Sequence, residues 1–310
     1  WRGCGPRVAG LDVPDGAEPV VKAGARPGAE GPIAVPRLRR VSNFTDLDAF
    51  ACEPDVEVVA VSSGNEIDDG RFDAVVIPGT KSTVADLDWL RASGLADAIL
   101  RFAAAGGTVA GICGGYQMLG RALLDPDGVE SSARETPGLG LLPVVTSFAA
   151  DKTLSSTRAR WISASGVSSD ASGDASGGAV GGGGTTEWPL EGYEIHHGAT
   201  RLVDVSSDRR ASTRTAGTAG MPAQPVRPVI VTELGEAIGY GTDDVGGSYL
   251  HGVFDADAFR RAFLNRLRAK RGQSPLPPSV RPSLDSELSR LADIVKANVD
   301  MPTIRSELGL

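Results

Sequence analysis

The chain has 310 residues, of which 41% are hydrophobic, so it can hold one large domain or two ordinary ones with a substantial core. Its formal net charge of −8 argues against a surface for nucleic acid or anionic membranes, and no apolar run approaches the roughly 20 residues that span a bilayer. We therefore expect no nucleic-acid or membrane partner, and the three widely spaced cysteines fit no zinc pattern and favour a cytoplasmic protein.

The first third of the chain alternates short apolar runs with helical patterns. Residues 1–31 are rich in Gly, Pro and Ala without a sustained period, which predicts a linker. Ordered structure is expected to begin with a strand at 32–38. Further Val- and Ile-rich strands are predicted at 56–63, 72–79 and 107–113. Near-continuous apolar strands of this kind are typical of a parallel sheet covered on both faces.

Three helices are predicted between and after these strands. One covers 44–53, with Thr45 as its cap, and a longer helical segment covers 82–107 with a break at Gly94. A third is predicted over 114–124. This order of strands and helices predicts an α/β fold with a doubly wound, mostly parallel sheet.

Low-complexity tracts interrupt the second half of the chain. Residues 163–186 and 206–226 are dominated by small and polar residues that cannot build a core, which predicts disordered insertions. A helix over 255–272 has acidic residues in its first turn and basic ones in its last. Residues 273–310 are predicted to form a tail with one amphipathic helix, 285–299. The strands expected around the tracts are 192–203, 228–235 and 236–242.

The sequence "GTVAGICGGYQMLG" (107–120) fits a nucleophile elbow with cysteine as the nucleophile. A nucleophile on a strained turn requires small residues two positions before and after it, and Gly111 and Gly115 occupy those positions around Cys113. The start of the following helix would favour a thiolate, and the Gly114 N–H could donate to an oxyanion. The alternative is a buried, purely structural cysteine.

Further residues could complete such a site. The strand that ends in "PGT" could offer the amide of Gly79 or Thr80 to the oxyanion, although an ordinary strand-to-helix turn explains this stretch equally well. A thiolate needs a base, and His251 follows a short apolar strand and precedes a capped helix. The adjacent His196 and His197 point to opposite faces of a strand, so they predict no metal site.

Six blocks along the chain carry a family resemblance. Taken in chain order, these blocks resemble the C-terminal half of the cobyric acid synthase family, which belongs to the cobalamin-pathway branch of the class I-like glutamine amidotransferases. The resemblance covers about 32–272, apart from the two low-complexity tracts. It implies a flavodoxin-like glutamine amidotransferase domain over these residues. The blocks are "RLRRVSNFTDLDAF", "VVIPGTKSTVADLDWLR", "GICGGYQMLG", "GLGLLPVVTSF", "GYEIHHGAT" and "YLHGVF".

The resemblance implies a reaction as well as a fold. Cys113 would attack the side-chain amide of glutamine, and His251 would pass a proton to the leaving ammonia. The amides of Gly79 and Gly114 would hold the oxyanion. The family delivers ammonia to an ATP-activated carboxylate of the corrinoid adenosylcobyrinic acid a,c-diamide.

The glutamine pocket and the partner domain are also implied by the resemblance. Gln117 and Tyr116 would bind glutamine. The sequence has no G-x-x-x-x-G-K-[ST] motif, so ATP and Mg are expected only in an N-terminal synthetase domain, of which 1–31 would be the remnant. We expect this chain to bind no cofactor and no metal.

Two points leave the function open at this stage. Many class I amidotransferases carry a glutamate two residues after the histidine, whereas this chain has Val253 there, so the group that orients His251 is unassigned. The alternatives are the amidotransferase subunit of lipid II isoglutaminyl synthase and a non-catalytic truncated remnant. "RVSNFTDLDAF" favours the corrinoid enzyme.

Overall fold

In the computed structural model, the described residues are 31–163, 179–181, 185–203, 224–279 and 284–309. Twelve strands of this part of the chain form one sheet. They are β1 Pro32–Pro36, β2 Glu57–Val61, β3 Ala74–Ile77, β4 Thr108–Ile112, β5 Ala122–Leu124, β6 Glu135–Pro137, β7 Val144–Ser163, β8 Ala179–Gly181, β9 Thr185–Leu202, β10 Arg227–Thr232, β11 Ala237–Gly241 and β12 Val245–Ser248.

Helices of two kinds accompany the sheet. The α-helices are α1 Gly64–Asp68, α2 Thr83–Ala92, α3 Leu95–Ala104, α4 Gly114–Leu119, α5 Asp257–Lys270, α6 Leu284–Asn298 and α7 Met301–Leu308. The 3₁₀ helices are Phe44–Cys52, called the first 3₁₀ helix below, and Val253–Asp255.

The sheet is parallel in one half and largely antiparallel in the other. The parallel half has the order β2-β1-β3-β4-β12, which is the strand order of a flavodoxin-like sheet when β12 is counted as its fifth strand. Beyond β12, the strands β11, β10, β7 and β9 follow in antiparallel pairings. The predicted α/β class is confirmed, but the sheet is mixed rather than mostly parallel, because hairpins from the second half of the sequence extend it.

Apolar residues bury both faces of the parallel strands. One core joins the sheet to α1, α2, α3 and α4, and includes Ile67, Leu87 and Ile99. The other joins it to the first 3₁₀ helix and α5, and includes Phe50 and Phe259. The sheet is therefore doubly wound, and its strands are apolar on both sides for that reason.

Several local predictions hold, and others were wrong. Helix breaking at Gly94 is confirmed, since this residue has φ 74° and separates α2 from α3. The cap of the first 3₁₀ helix is Asn43, not Thr45; Asn43 has φ 53° and ψ 60°, a region that asparagine tolerates. The helix predicted over 114–124 ends at Leu119, because Gly120 is extended and β5 begins two residues later.

The described residues of the predicted insertion 163–186 lie in strands, and most of the insertion lies outside the described residues. Ser163 ends β7, Ala179–Gly181 is β8, and β9 begins at Thr185. β8 pairs with β9 through Ala179↔Glu187 and Gly181↔Thr185. Glycine-rich sequence can do this because a ladder is built from backbone N–H and C=O groups. Residues 164–178, 182–184 and 204–223 lie outside the described residues, as do 1–30.

Within the described residues, no helix is long and apolar enough to cross a membrane.

Candidate active site

Cys113 lies at the end of β4 and at the start of α4, as the elbow pattern predicts. Its backbone has φ 51° and ψ −112°, and Asn43 is the other described non-glycine residue with positive φ. Such a conformation is strained for a side-chain-bearing residue and persists only when the surroundings enforce it. The side chain is a free thiol, buried to 5% exposure.

Two glycines make the turn possible. A Cβ on Gly111 would lie 2.7 Å from the carbonyl carbon of Gly115, and a Cβ on Gly115 would lie 2.2 Å from the carbonyl oxygen of Ile77. The Cys113 N–H donates to the Ser248 carbonyl oxygen at 2.8 Å, which pins the elbow to β12. The steric reason proposed for both glycines thus corresponds to contacts with backbone atoms that cannot move aside.

The two glycines assigned to the oxyanion hole lie beside the cysteine. A Cβ on Gly79 would lie 3.6 Å from Cys113 Cβ and 3.1 Å from His251 Cε1. A Cβ on Gly114 would lie 3.3 Å from the backbone nitrogen of Thr80. The structure therefore brings the β3 turn and the start of α4 together next to the thiol. The oxyanion hole stays a prediction.

His251 completes the group at the carboxyl ends of the parallel strands. Its side chain is fully buried, and Nδ1 lies 2.8 Å from Asp46 Oδ2. The Asn43 amide nitrogen is 3.1 Å from Nε2 and 3.2 Å from Nδ1. Because a carboxylate only accepts, Asp46 favours a proton on Nδ1. In the neutral imidazole, the lone pair of Nε2 then accepts from the Asn43 amide N–H₂.

The surroundings favour the protonated form of His251. Burial lowers its pKa, but the hydrogen bonds to Asp46 and then to Cys113, together with the negative charges of both groups, outweigh burial and raise the pKa to about 9. A positively charged imidazole beside a thiol is the arrangement that stabilises a thiolate. The structure places both Cys113 and His251 beside Gly79, and their pairing in catalysis stays a prediction.

Strand β9 forms one wall of this site. Tyr193 pairs with His251 through their backbones, and its ring stacks on the imidazole with centroids 5.1 Å apart. Two residues on, the Ile195 carbonyl oxygen lies 3.5 Å from Cys113 Sγ. The "GYEIHH" segment thus contacts the imidazole through the Tyr193 ring and the thiol through the Ile195 carbonyl oxygen.

The two residues assigned to glutamine binding lie behind the elbow. Gln117 is buried, accepts a hydrogen bond from Thr83 Oγ1 at 2.9 Å and donates to the His197 carbonyl oxygen at 3.1 Å. Tyr116 is fully buried and packs edge-on against Tyr249, in the core opposite to the one that contains Cys113. Burial raises the pKa of Tyr116 well above its usual value. Both side chains are buried in this structure, and their contact with glutamine stays a prediction.

Metal ligands are not clustered in the described residues, where no group of three or more His, Cys, Asp or Glu could hold an ion. His196 Nδ1 lies 3.0 Å from the Gly198 carbonyl oxygen, and His197 Nδ1 lies 3.2 Å from that of Ala149. The two histidines therefore have separate partners.

A family model described as the CobB/CobQ-like glutamine amidotransferase domain matches residues 32–259. The chain belongs to this family. The match includes Cys113, His251 and the β9 wall, so the site described above lies within the amidotransferase domain.

Curated relatives of this amidotransferase domain are cobyric acid synthases. The protein of Nitratidesulfovibrio vulgaris is 42% identical over 309 residues, covering 95% of this chain and 53% of its own length. That of Sorangium cellulosum is 41% identical over 291 residues, covering 93% of this chain and 52% of the relative. The chain therefore spans about half the length of the curated relatives it matches.

Solved structures include a glutamine amidotransferase with a TM-score of 0.47 at 13% identity, covering 76% of this chain and 98% of its own. PurLQS from Thermotoga maritima has a TM-score of 0.48 at 14% identity, covering 77% of this chain and 99% of its own.

Sequence reasoning about this amidotransferase domain missed Asp46, Asn43 and the backbone role of β9. Asp46 stands 205 positions from His251, so no local spacing indicates their contact. A weak signal was available, since "NFTDLD" (43–48) follows the first strand of the parallel sheet after a short connection and supplies acids near its carboxyl end. The contact of β9 with Cys113 comes from a backbone carbonyl and leaves no mark on residue type.

Proposed function

We propose that this domain is a glutaminase that supplies ammonia for the ATP-dependent amidation of adenosylcobyrinic acid a,c-diamide to cobyric acid. The observation that carries the glutaminase part is the strained Cys113 at the strand end, with His251 and the Gly79 turn around it. The names of the relatives support the corrinoid part.

The proposed chemistry begins with the Cys113 thiolate, which attacks the side-chain carbonyl carbon of glutamine. The resulting oxyanion accepts hydrogen bonds from the Gly114 amide and from the amide of Gly79 or Thr80. His251, protonated by its surroundings, donates a proton to the departing nitrogen, so that ammonia and a thioester form.

Water completes the cycle. The neutral His251 accepts a proton from a water molecule as that water attacks the thioester, and the second oxyanion collapses to glutamate and the free thiolate. The imidazole then carries a proton again, and the site is ready for another glutamine. The sum is glutamine plus water giving glutamate plus ammonia.

The amidation itself needs groups that we assign to a synthetase half outside this domain. The relatives are about twice as long as the part that this chain matches, and the sequence contains no P-loop motif. We place the sites for ATP, Mg and the corrinoid carboxylate on that half, which would receive the ammonia released at Cys113. In the alternative, the amidotransferase subunit of lipid II isoglutaminyl synthase, the acceptor differs, and the relatives named above favour the corrinoid.

The glutaminase proposal is tested by ammonia and glutamate release from glutamine. We expect Cys113→Ala to abolish turnover while its circular dichroism and melting temperature stay close to those of the wild type. Ser62→Ala, an exposed substitution of comparable size, should leave the rate unchanged. Equal release by the wild type and Cys113→Ala would end the catalytic interpretation and favour the non-catalytic one.

The acceptor is tested separately with the ATP-binding half of a relative, supplied as a second polypeptide. With glutamine, ATP and Mg²⁺, we expect ¹⁵N from the glutamine amide to appear in the corrinoid amide groups. Transfer to lipid II instead, with none to the corrinoid, would contradict the corrinoid assignment and leave the glutaminase assignment intact.

A further inference from the structure

Asp46 binds both the imidazole of His251 and the backbone N–H of the next residue, Gly252. The carboxylate is buried to 3% exposure. Its Oδ2 lies 2.8 Å from His251 Nδ1, and its Oδ1 accepts the Gly252 N–H at 2.9 Å. One oxygen therefore fixes the imidazole ring, and the other fixes the backbone that follows it.

The position that carries the orienting acid in many class I amidotransferases is apolar here. Val253 is 7% exposed and belongs to the core between the sheet and α5. A carboxylate at that position would have to enter this core, whereas Asp46 reaches Nδ1 from a different strand end.

The first 3₁₀ helix, which carries Asp46, is anchored at its far end. Glu53, fully buried, accepts hydrogen bonds from Arg260 Nε at 2.6 Å and from the Arg261 guanidinium. Phe50 packs against Phe254 with ring centroids 4.6 Å apart. These contacts join the helix to α5 and to the segment just after His251. The Asp46 carboxylate and the His251 imidazole are therefore held by the same packed elements.

We propose that Asp46 is the positioning residue for His251, and that the first 3₁₀ helix is the element that holds it in place. The inference rests on the proposed glutaminase function. The carboxylate accepts a hydrogen bond from Nδ1–H throughout the cycle, leaves Nε2 as the nitrogen that exchanges protons with the reacting groups, and stabilises the imidazolium when it forms. Because it touches neither glutamine nor the sulfur, its effect falls on kcat rather than on KM.

The kinetic test compares Asp46→Asn with Asp48→Asn, an exposed acid on the same helix. Asparagine keeps the size but offers Nδ1 no charge, so we expect kcat to fall about 10²- to 10⁴-fold with KM within a few-fold of wild type. The basic limb of the pH profile should move to lower pH. Asp48→Asn should match the wild type. Unchanged kcat and pH profile in Asp46→Asn would overturn the proposal.

A spectroscopic test is independent of turnover. The chain has only three histidines, so ¹⁵N-histidine labelling gives a simple spectrum. We expect a strongly hydrogen-bonded Nδ1 proton of His251 in the wild type and in Cys113→Ala, and its loss in Asp46→Asn. If no variant hydrolyses glutamine but this signal depends on Asp46, the function fails and the positioning role stands. If the signal is the same in Asp46→Asn, the positioning role fails.

Discussion

At the scale of the residue, the site depends on a glycine that is packed so closely against backbone atoms that no side chain fits there. Gly115 lets α4 approach the end of β3, where a Cβ would lie 2.2 Å from the Ile77 carbonyl oxygen. That close approach sets the φ of 51° at Cys113 and so places the sulfur above the strand ends. The elbow is thus fixed by backbone contacts around the thiol.

Gly115→Ala should therefore lower both stability and activity. Because the contacted atoms are backbone, the new methyl group forces a shift that costs about 1–3 kcal/mol of the free energy of unfolding. Gly246→Ala is the matched control: its Cβ would lie 3.4 Å from Gly241 Cα, an ordinary contact, and stability should be nearly unchanged. Urea unfolding measures both, and equal stability of the two variants would contradict the explanation.

The charge of His251 makes stability depend on pH. The groups that face it are Asp46, Cys113 and Tyr193. Its pKa rises from 6.5 to about 9 on folding, so the extra stability is fully present below pH 6.5 and is lost as the pH rises to about 9. Relative to His251→Gln, the wild type should lose on the order of 3 kcal/mol over this interval. Urea titrations at several pH values check this, and parallel curves would refute it.

At the scale of the element, the first 3₁₀ helix connects the site to α5 through buried charges. Glu53 is fully buried between Arg260 and Arg261, which are themselves 0% and 2% exposed. Three charges in a core are tolerated because each has a partner of opposite sign. The cluster holds the element that carries Asp46.

Glu53→Gln should therefore destabilise the domain strongly. It leaves two buried guanidinium groups without their shared carboxylate, and removing one partner of a buried ion pair costs about 3–5 kcal/mol. Asp88→Asn, which removes the acid of an exposed pair with Arg91, should leave thermal stability unchanged. A melting temperature for Glu53→Gln equal to that of Asp88→Asn would show that the cluster does not hold the helix.

At the scale of the whole molecule, the segment after α5 belongs to the folded body before the exposed helices begin. Asn265 exchanges two hydrogen bonds with the Leu276 backbone, both at 2.8 Å, and Arg260 donates to the Ser279 carbonyl oxygen at 2.8 Å. By contrast, large apolar side chains of α6 and α7 are exposed by 38% or more: Leu288, Leu291, Ile294, Val295, Ile304 and Leu308.

Truncated chains should show that the segment up to Ser279 contributes to stability and that α6 and α7 do not. A chain that ends at Ser279 should keep its glutaminase rate and unfold at the same urea concentration as the full chain. One that ends at Gly272 also loses the bonds to Asn265 and Arg260, and should lose on the order of 3 kcal/mol of stability. If the shorter chain is as stable as the longer one, the segment does not contribute to the body. The domain boundary predicted at 272 would then stand.

The sequence by itself determined the α/β class and the strand–turn–helix placement of Cys113, and it predicts the pairing of Cys113 with His251. Those inferences depend on local patterns: runs of Val and Ile, a helix break at Gly94, and small residues at fixed distances from a nucleophile. The resemblance to one amidotransferase branch, carried by ordered blocks, agrees with the family model that matches 32–259.

Only the tertiary structure decided what surrounds the histidine. Asp46 reaches Nδ1 because β1 and β12 end at the same edge of a parallel sheet, a relation set by strand order rather than by spacing along the chain. The β9 wall contacts Cys113 through a backbone carbonyl, and the long antiparallel extension depends on pairing between distant segments. Residue type records burial and steric limits, whereas the contact of distant segments is settled only when the chain folds.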